Sequence, residues 1–285
     1  MVAHPTLVGI LRGREGIIYQ HGEIAVPPEA VVTGAEVVLV PTESVAGPFV
    51  RAGYRPEQIE VSGLCIEPSL VDRAPTAFIE RQSRFDSGEP LTGLFVSSGA
   101  EPLQHVMALI ESVTSAIGGD GKAVILARAN GRLHRGITSR LSRSSFKYVS
   151  CSDPQAAVEA GGDVIIAVHD SRRALNDLTA ALFKRFDYLV GPAHERTHWA
   201  LGLGLPMFPL VPSIGPFAPL NLRVLLKAGV AAPLDAASPP TDFGRKLSMK
   251  RQDGSLRAMS EAGWGRYDID GFDRIARFLL GRFGG

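Results

Sequence analysis

Short apolar runs without polar alternation recur along the whole chain and predict strands that are buried on both faces, as in a parallel sheet. We predict nine such strands, in chain order GIIYQ, EVVLVP, QIEVSG, TGLFVSS, KAVILA, FKYVS, DVIIAV, DYLVG and PMFPLV. Amphipathic segments of helical period lie between most of them, and residues 101–119 are the clearest example, closed by a glycine pair. This alternation predicts an α/β fold built from βαβ units with right-handed crossovers.

A polar, turn-like stretch at residues 84–90, RFDSGEP, separates two apolar blocks and predicts a domain boundary. The first block, residues 1–88, has three predicted strands, which is few for an independent domain. The second, residues 89–285, has enough strands for a complete doubly wound domain. The final amphipathic run, residues 272–283, is predicted to form a helix that packs back against the first block.

The composition narrows the class of protein. The chain has 285 residues, 45% of them hydrophobic and 21% charged, which is ordinary for a globular protein. A net charge of +1, from 30 basic and 29 acidic residues, argues against a nucleic-acid-binding protein. Cys65 and Cys151 lie at no metal-ligand spacing, so we interpret them as free thiols in a reducing compartment. With no recognisable signal peptide and no apolar stretch long enough to span a bilayer, we expect a cytoplasmic protein, with peripheral contact at the inner membrane face as a further option.

Loops that follow predicted strands carry the candidate binding residues, because ligands of open α/β sheets bind outside the carboxyl ends of the strands. The loop after TGLFVSS leads into a helix start of the kind that suits phosphate, and the proline-rich loop after PMFPLV is rigid. The binding candidates are Ser98, Gly99, Ala100, Glu101, Asn130, Pro192, His194, Glu195, Arg196, His198, Gly215 and Asn221.

Ordinary structural roles compete with binding at several of these positions. Glu101 would complement the dipole of the helix that it opens, and Asn130 belongs to an Asn-Gly turn. A helix start near Glu195 would let His194 and His198 share a face, but no third ligand at matching spacing supports a zinc site. In the same way, Asn221 would cap or open the helix that follows the proline-rich loop.

The catalytic candidates lie just past the first predicted strand. There His21 could act as a base, with Glu23 two residues away. A solvent-exposed loop pair is the competing interpretation, and the sequence does not identify Glu23 as the group that orients His21.

Taken in order, several segments resemble the GT-B glycosyltransferases of the type that includes the peptidoglycan glycosyltransferase MurG and the monogalactosyl- and processive diacylglycerol synthases. Residues 34–70 are similar to a strand, a Pro-Thr-Glu helix start and a following strand of that family. Residues 93–102 stand where the family has a glycine-rich donor loop, and residues 200–234 match the helix, strand and loop that hold the nucleotide sugar. The resemblance implies a doubly wound C-terminal nucleotide-sugar domain and an incomplete Rossmann-like N-terminal, acceptor-side domain.

The same resemblance implies an activity: inverting transfer of a sugar from a nucleotide sugar to a lipid or other hydroxyl acceptor, with no cofactor or metal. The diphosphate would lie near Gly99 and His194, with Arg196 stabilising it as the leaving group. The family's ribose-binding glutamate is replaced by Trp199, for which Glu195 is a candidate substitute. The family's N-terminal catalytic motif is also absent. A non-catalytic binding subunit, with a partner chain supplying the missing N-terminal part, is therefore one alternative. A sugar-nucleotide epimerase is another, and it requires a carboxylate pair and several histidines around the cleft.

Overall fold

The structure, a computed structural model, describes residues 1–119, 121–235 and 239–283. In these residues nine strands form two separate sheets, and every strand pairing is parallel. All nine strands predicted from the apolar runs are confirmed, and so is the α/β fold class.

The strands are β1 (Ile18–Gln20), β2 (Val37–Val40), β3 (Ile59–Val61), β4 (Thr92–Val96), β5 (Lys122–Arg128), β6 (Tyr148–Cys151), β7 (Val164–His169), β8 (Tyr188–Gly191) and β9 (Met207–Pro209). The helices before β4 are α1 (Pro5–Ile10), α2 (Glu43–Arg51), α3 (Pro68–Val71) and α4 (Ala74–Ser87). The helices after β4 are α5 (Leu103–Gly118), α6 (Arg132–Leu141), α7 (Pro154–Glu159), α8 (Arg172–Leu182), α9 (Thr197–Gly202), α10 (Ala218–Ala228), α11 (Phe243–Gln252), α12 (Ser255–Gly263) and α13 (Gly271–Phe283).

The first sheet has the order β1-β2-β3 and is covered by segments from both ends of the chain. One face packs against α1 and α2, through Val8 and Phe49 among others. On the other face, Ile275 of α13 joins a cluster with Ile18 and Val37. The prediction that the last helix returns to the first block is therefore confirmed.

The second sheet has the order β6-β7-β5-β4-β8-β9 and is buried on both faces. Side chains alternate between the faces: Leu94 and Val96 of β4 enter one core cluster, and Phe95 enters the other. The crossover after β4 leads to β5 on one side, whereas β8 pairs with β4 on the other side. Strand order therefore reverses at β4, and a doubly wound sheet binds its ligand beside such a reversal, at the carboxyl ends of the strands.

Helix α4 connects the two sheets and is held to the second one. Arg81, in the middle of α4, is fully buried and donates hydrogen bonds to the carbonyl oxygens of Phe186, Leu203 and Gly204 at 2.9–3.1 Å. A buried guanidinium needs such partners, because an unpaired buried charge is strongly destabilising. The boundary at residues 84–90 stays a prediction, and α4, which ends within it, packs with the larger sheet.

Candidate active site

A cavity of about 410 Å³ lies at the carboxyl ends of the second sheet, on both sides of the strand-order reversal. We call it the sheet-end cavity. Four loops, those after β4, β5, β7 and β8, provide most of its wall, and Glu23 from the first sheet reaches into it. Its lining includes Ser97, Ser98, Gly99, Glu101, Arg128, His169, Arg172, Pro192, His194, Glu195 and Arg196.

A second cavity, of about 460 Å³, lies between the two sheets, and we call it the inter-sheet cavity. Its lining includes Tyr19, Gln20, His21, Cys65, Glu67, Asn176, Thr179, His198, Trp199, Phe217 and Phe272. Five residues line both cavities: Glu23, Arg172, Leu175, Glu195 and Arg196. The two spaces therefore adjoin each other at a wall that carries two carboxylates and two guanidinium groups.

Glu23 lies on this shared wall and is mostly buried, with 19% of its side chain exposed. Burial raises the pKa of Glu23 from its usual 4.5 to about 7. A hydrogen bond from Asn221 Nδ2 to Glu23 Oε2, at 2.6 Å, lowers this pKa and only partly offsets the burial, and the nearby charge of Glu195 raises it further. A carboxyl with a pKa near 7 can both take up and release a proton at neutral pH.

His21 is buried, and both of its ring nitrogens are hydrogen-bonded within the protein. Nε2 lies 3.0 Å from the carbonyl oxygen of Ala25, and Nδ1 lies 3.1 Å from the hydroxyl of Tyr19. Because a carbonyl only accepts, Nε2 carries the hydrogen and Nδ1 accepts from Tyr19. Burial also lowers the pKa of His21. The interpretation of His21 and Glu23 as a solvent-exposed pair is wrong, and Glu23 is the better placed of the two to exchange a proton.

Arg196 supplies positive charge to the shared wall. Its guanidinium lies 5.4 Å from the centroid of the Trp199 ring, and its Nε is buried without a hydrogen-bond partner in the described structure. Glu195, the neighbouring carboxylate, is instead paired with Arg172 at 3.1 Å. Burial is also the main reason why the pKa of Arg196 is lowered. Arg196 is thus positioned to bind an anion in the cavities.

The two histidines of this loop do not share a helix face. Helix α9 begins at Thr197 rather than near Glu195, so His194 precedes the helix and only His198 belongs to it. His194 Nδ1 lies 4.0 Å from Glu23 Oε1, and burial lowers the pKa of His194. His198 Nδ1 faces the carbonyl oxygen of Cys65 at 3.3 Å, and burial lowers its pKa to about 4. Burial therefore favours the neutral form of both imidazoles.

Glu101 stabilises a different helix from the one predicted. Its own backbone is left-handed, with φ of 44°, and α5 begins only at Leu103. The carboxylate instead accepts a hydrogen bond from the backbone nitrogen of Arg132, at the start of α6. A Cβ on Gly131 would lie 2.6 Å from Glu101 Oε1, so this contact requires glycine. Glu101 therefore occupies the α6 N-terminus, where a phosphate could otherwise bind.

Asn221 lies inside α10, where it is fully buried, and it does not cap the helix as predicted. Its Nδ2 donates to the backbone oxygen of Ala193 at 2.9 Å as well as to Glu23, so it fixes the carboxylate to the loop after β8.

Three other candidates, Ala100, Asn130 and Gly215, are exposed and lie outside the lining of both cavities.

The cavities also contain residues that the sequence analysis did not select. Arg128 and His169 lie at the carboxyl ends of β5 and β7, and Arg172 opens α8. The rule that ligands bind at carboxyl strand ends would have selected the first two. Cys65 and Glu67 follow β3, and only the packing of the two sheets brings them to the inter-sheet cavity.

Comparison with known proteins identifies the fold. No protein-family model matches the chain, and no curated protein sequence matches it. Solved structures do match. A protein assigned as a UDP-N-acetylglucosamine 2-epimerase from Listeria monocytogenes has a TM-score of 0.58 at 13% identity, over 94% of this chain and 68% of that one. MurG from Acinetobacter baumannii has a TM-score of 0.56 at 12% identity, over 93% and 66%. The S. aureus protein MnaA, in complex with UDP, has a TM-score of 0.56 at 11% identity, over 93% and 68%.

The chain has a GT-B-like fold. It spans about two thirds of the length of each of these proteins, at identities of 11–13%, so the likeness establishes the fold alone. The GT-B resemblance is confirmed, but these structures do not distinguish the diacylglycerol synthase type from other GT-B proteins.

Among the described helices, none is long and apolar enough to cross a membrane. Nor does any group of three His, Cys, Asp or Glu side chains in the described structure suit a metal ion.

Proposed function

We propose that this GT-B-like protein is a glycosyltransferase that uses a nucleotide sugar as donor. The observation that carries the proposal is the position of Glu23, with a pKa of about 7, on the wall common to two adjoining cavities. A transferase needs one space for the donor, a second for the acceptor, and a proton-accepting group between them. The solved structures of similar fold include MnaA in complex with UDP and WaaG, a glycosyltransferase, which supports the choice of donor.

In this proposal the donor lies in the sheet-end cavity. Its diphosphate contacts the loop after β4, at Ser98 and Gly99, and the guanidinium of Arg196. Gly99 suits this role because a Cβ at its position would meet nothing within 4 Å, so the backbone is open to a ligand. Helix α9 has only six residues, so the side chain of Arg196, rather than the start of that helix, carries the interaction with the anion.

The acceptor, a lipid or another hydroxyl compound, lies in the inter-sheet cavity. Its hydroxyl oxygen attacks the anomeric carbon while Glu23 takes the hydroxyl proton, and the bond from that carbon to the diphosphate oxygen breaks on the opposite face. The configuration at carbon therefore inverts. Arg196 stabilises the negative charge that develops on the leaving diphosphate. The nucleotide sugar is a substrate, and the proposal includes no cofactor.

Turnover of UDP- and GDP-sugars with a panel of lipid and sugar acceptors tests this function, with release of the nucleoside diphosphate as the readout. Glu23→Gln should lower turnover by roughly 100- to 10,000-fold, the usual range for a lost general base. Glu67→Gln is the matched control: it removes a carboxylate that lines only the inter-sheet cavity, and it should leave the pH profile unchanged. Activity of the native protein should increase as pH rises through about 7, because Glu23 must be ionised to act as a base. Glycosyl transfer that survives Glu23→Gln undiminished would contradict the assignment.

A sugar-nucleotide epimerase is the second candidate, and one specific observation favours it. Two carboxylates, those of Glu23 and Glu195, line the sheet-end cavity together with His169, His194 and Arg196. That arrangement is the carboxylate pair with histidines that an epimerase requires. Incubation of UDP-N-acetylglucosamine in deuterated water without any acceptor separates the two functions. Deuterium at the sugar C2 indicates epimerisation, whereas acceptor-dependent UDP release indicates transfer.

The third hypothesis, a non-catalytic subunit with a partner chain that completes the acceptor side, makes its own prediction. It predicts nucleotide binding without turnover until a partner is added. Co-purification of the tagged chain from its source cells, followed by the same turnover assay, tests it.

A further inference from the structure

Positive charge is concentrated in one segment of this nearly neutral protein. Residues 121–152 contain seven Lys or Arg residues and no Asp or Glu, in a chain whose net charge is +1. Helix α6 lies at the centre of this segment, and its buried face, with Leu133 and Ile137, packs on the second sheet. The proposed function gives no role to the solvent-facing side of α6.

The arginines on that side form a stripe along the helix. Arg132 and Arg135 are three residues apart on one face of α6, Arg140 lies in its last turn, and Arg143 lies in the turn that follows the helix. All four are exposed. The guanidinium of Arg143 bonds back to Ser139 of α6, at 2.9 and 3.0 Å, that of Arg135 bonds to the backbone oxygen of Asn130, and that of Arg132 bonds to the backbone oxygen of Glu101 at 3.1 Å.

None of these four guanidinium groups forms an ion pair within the described structure, and the one carboxylate described above at this helix, that of Glu101, bonds to the backbone nitrogen of Arg132 at the start of α6. The ion pairs present there involve arginines of other elements, such as Arg172, Arg257 and Arg274. Guanidinium groups that bond only to backbone oxygens and a hydroxyl keep their full positive charge, so the stripe creates a positive surface potential that can attract an anionic partner.

The neighbouring helix adds an apolar element. Leu103 and Met107, one turn apart on α5, have 64% and 53% of their surface exposed. Helices α5 and α6 pack side by side, and a Cβ on Gly136 would lie 2.7 Å from Ile110 of α5. Exposed apolar side chains beside a cationic helix face fit a lipid surface, where the chains enter the headgroup region and the arginines meet anionic headgroups. Nucleic acid would use the charge but would leave Leu103 and Met107 without a role.

We propose that the α5–α6 face, consisting of Leu103, Met107, Arg132, Arg135, Arg140 and Arg143, docks the protein on a membrane rich in anionic phospholipid. Both helices begin at the carboxyl ends of their strands, β4 and β5, which is also where the sheet-end cavity opens. Docking through this face therefore brings the mouth of the cavity close to the bilayer. The proposal gives a location to the peripheral membrane contact that the sequence analysis left open, and it does not depend on the chain being a transferase.

Flotation with vesicles of phosphatidylglycerol and phosphatidylcholine, against vesicles of phosphatidylcholine alone, tests the proposal. The native chain should float with the anionic vesicles at about 0.1 M salt and lose this binding at about 1 M salt, where charges are strongly screened. The triple variant R135Q/R140Q/R143Q should lower the partition coefficient by roughly 100-fold, at about one factor of five for each arginine. The triple variant R173Q/K184Q/K227Q is the matched control. It removes the same charge from exposed positions on the opposite face of the sheet, and it should change partitioning by less than about fivefold.

Other outcomes overturn the proposal. An equal loss of vesicle binding in the two triple variants would mean that binding depends only on the net charge of the protein. Binding that persists in R135Q/R140Q/R143Q but disappears in Ile10→Gln, at an exposed position of α1, would locate the contact on the first sheet's side. Native protein that ignores anionic vesicles but binds a DNA duplex through the same arginines would assign the face to nucleic acid. An unchanged melting temperature in each variant ensures that lost binding is not lost folding.

Discussion

The two walls of the cleft use their polar groups in different ways. On the wall from the first sheet, polar side chains bond to each other: Gln20 donates to Cys65 Sγ, and His21 is held by Tyr19 and Ala25. On the wall from the second sheet, buried polar atoms lack partners in the described structure, including Ser97 Oγ and Arg196 Nε. Buried polar groups are normally satisfied, so atoms such as these at a cavity are available to bond to whatever fills it.

Glu23 is the exception on the first wall. It crosses the cleft and bonds to Asn221 of the second sheet's α10, over a separation of 198 residues in sequence. Under the proposed function, the large sheet would provide the binding surface and the small sheet would contribute one reactive group.

The small sheet should depend on the C-terminal helix for its stability. Ile275 of α13 is 4% exposed and lies in the cluster with Ile18, Val37 and Leu39. Ile275→Ala should therefore lower the free energy of unfolding by about 2–5 kcal/mol, the usual loss for a large buried side chain. Denaturant titration followed by circular dichroism measures this change. Leu280→Ala is the control on the same helix, because Leu280 is 70% exposed, and it should cost less than about 0.5 kcal/mol. Equal effects of the two variants would mean that the small sheet does not need α13.

Glu23 should make the stability of the protein depend on pH. Its carboxyl has a pKa of about 7 in the folded protein and near 4.5 when unfolded, so between these values the folded state holds a proton that the unfolded state has released. Stability contributed by Glu23 is therefore complete below about pH 4.5 and is lost as pH rises to 7. Glu23→Gln has no such loss, and it should be more stable than the native chain by up to about 3 kcal/mol above pH 7.

Paired denaturation curves at a series of pH values check this prediction. Glu111→Gln, at an exposed position on α5, should follow the native curve throughout. A stability difference between Glu23→Gln and the native chain that stays constant with pH would show that Glu23 is an ordinary, ionised glutamate.

Asn221 should have a smaller effect, which acts through Glu23. Its amide donates to the carboxylate and favours the ionised form, so Asn221→Ala should raise the pKa of Glu23 further. The variant also leaves the Ala193 carbonyl without its donor, and it should lose about 1–3 kcal/mol of stability. Carbon-13 NMR of the Glu23 carboxyl measures the pKa directly. A pKa that stays in place or falls would mean that Asn221 supports only the loop after β8.

The sequence predicted the strands well and the side-chain chemistry less well, for a physical reason. An uninterrupted run such as VVLV or VIIAV can be buried only in a two-sided sheet, so strand positions follow from local composition. The apolar face of α13 likewise had to pack against another element, and its contact with the first sheet was predicted for that reason. The bonds of Glu101 to α6 and of Asn221 to Glu23 join residues 31 and 198 positions apart. Local patterns at helix starts mislead for the same reason: Glu101 and Asn221 were predicted to stabilise the start of their own helices, and both bond to distant elements instead.

Calorimetric titration with UDP and GDP tests whether the second sheet's wall binds a nucleoside diphosphate through Arg196, as we propose. The native chain should bind at least one of them with a Kd of about 1 mM or tighter. Arg196→Gln should weaken that binding at least tenfold, because a charge-assisted hydrogen bond is lost. Arg173→Gln, an exposed neighbour of Arg172 outside both cavities, should leave the Kd unchanged. Titrations that show only heats of dilution for both nucleotides would mean that neither binds, and this would contradict the account. An equal Kd for native protein and Arg196→Gln would contradict it as well.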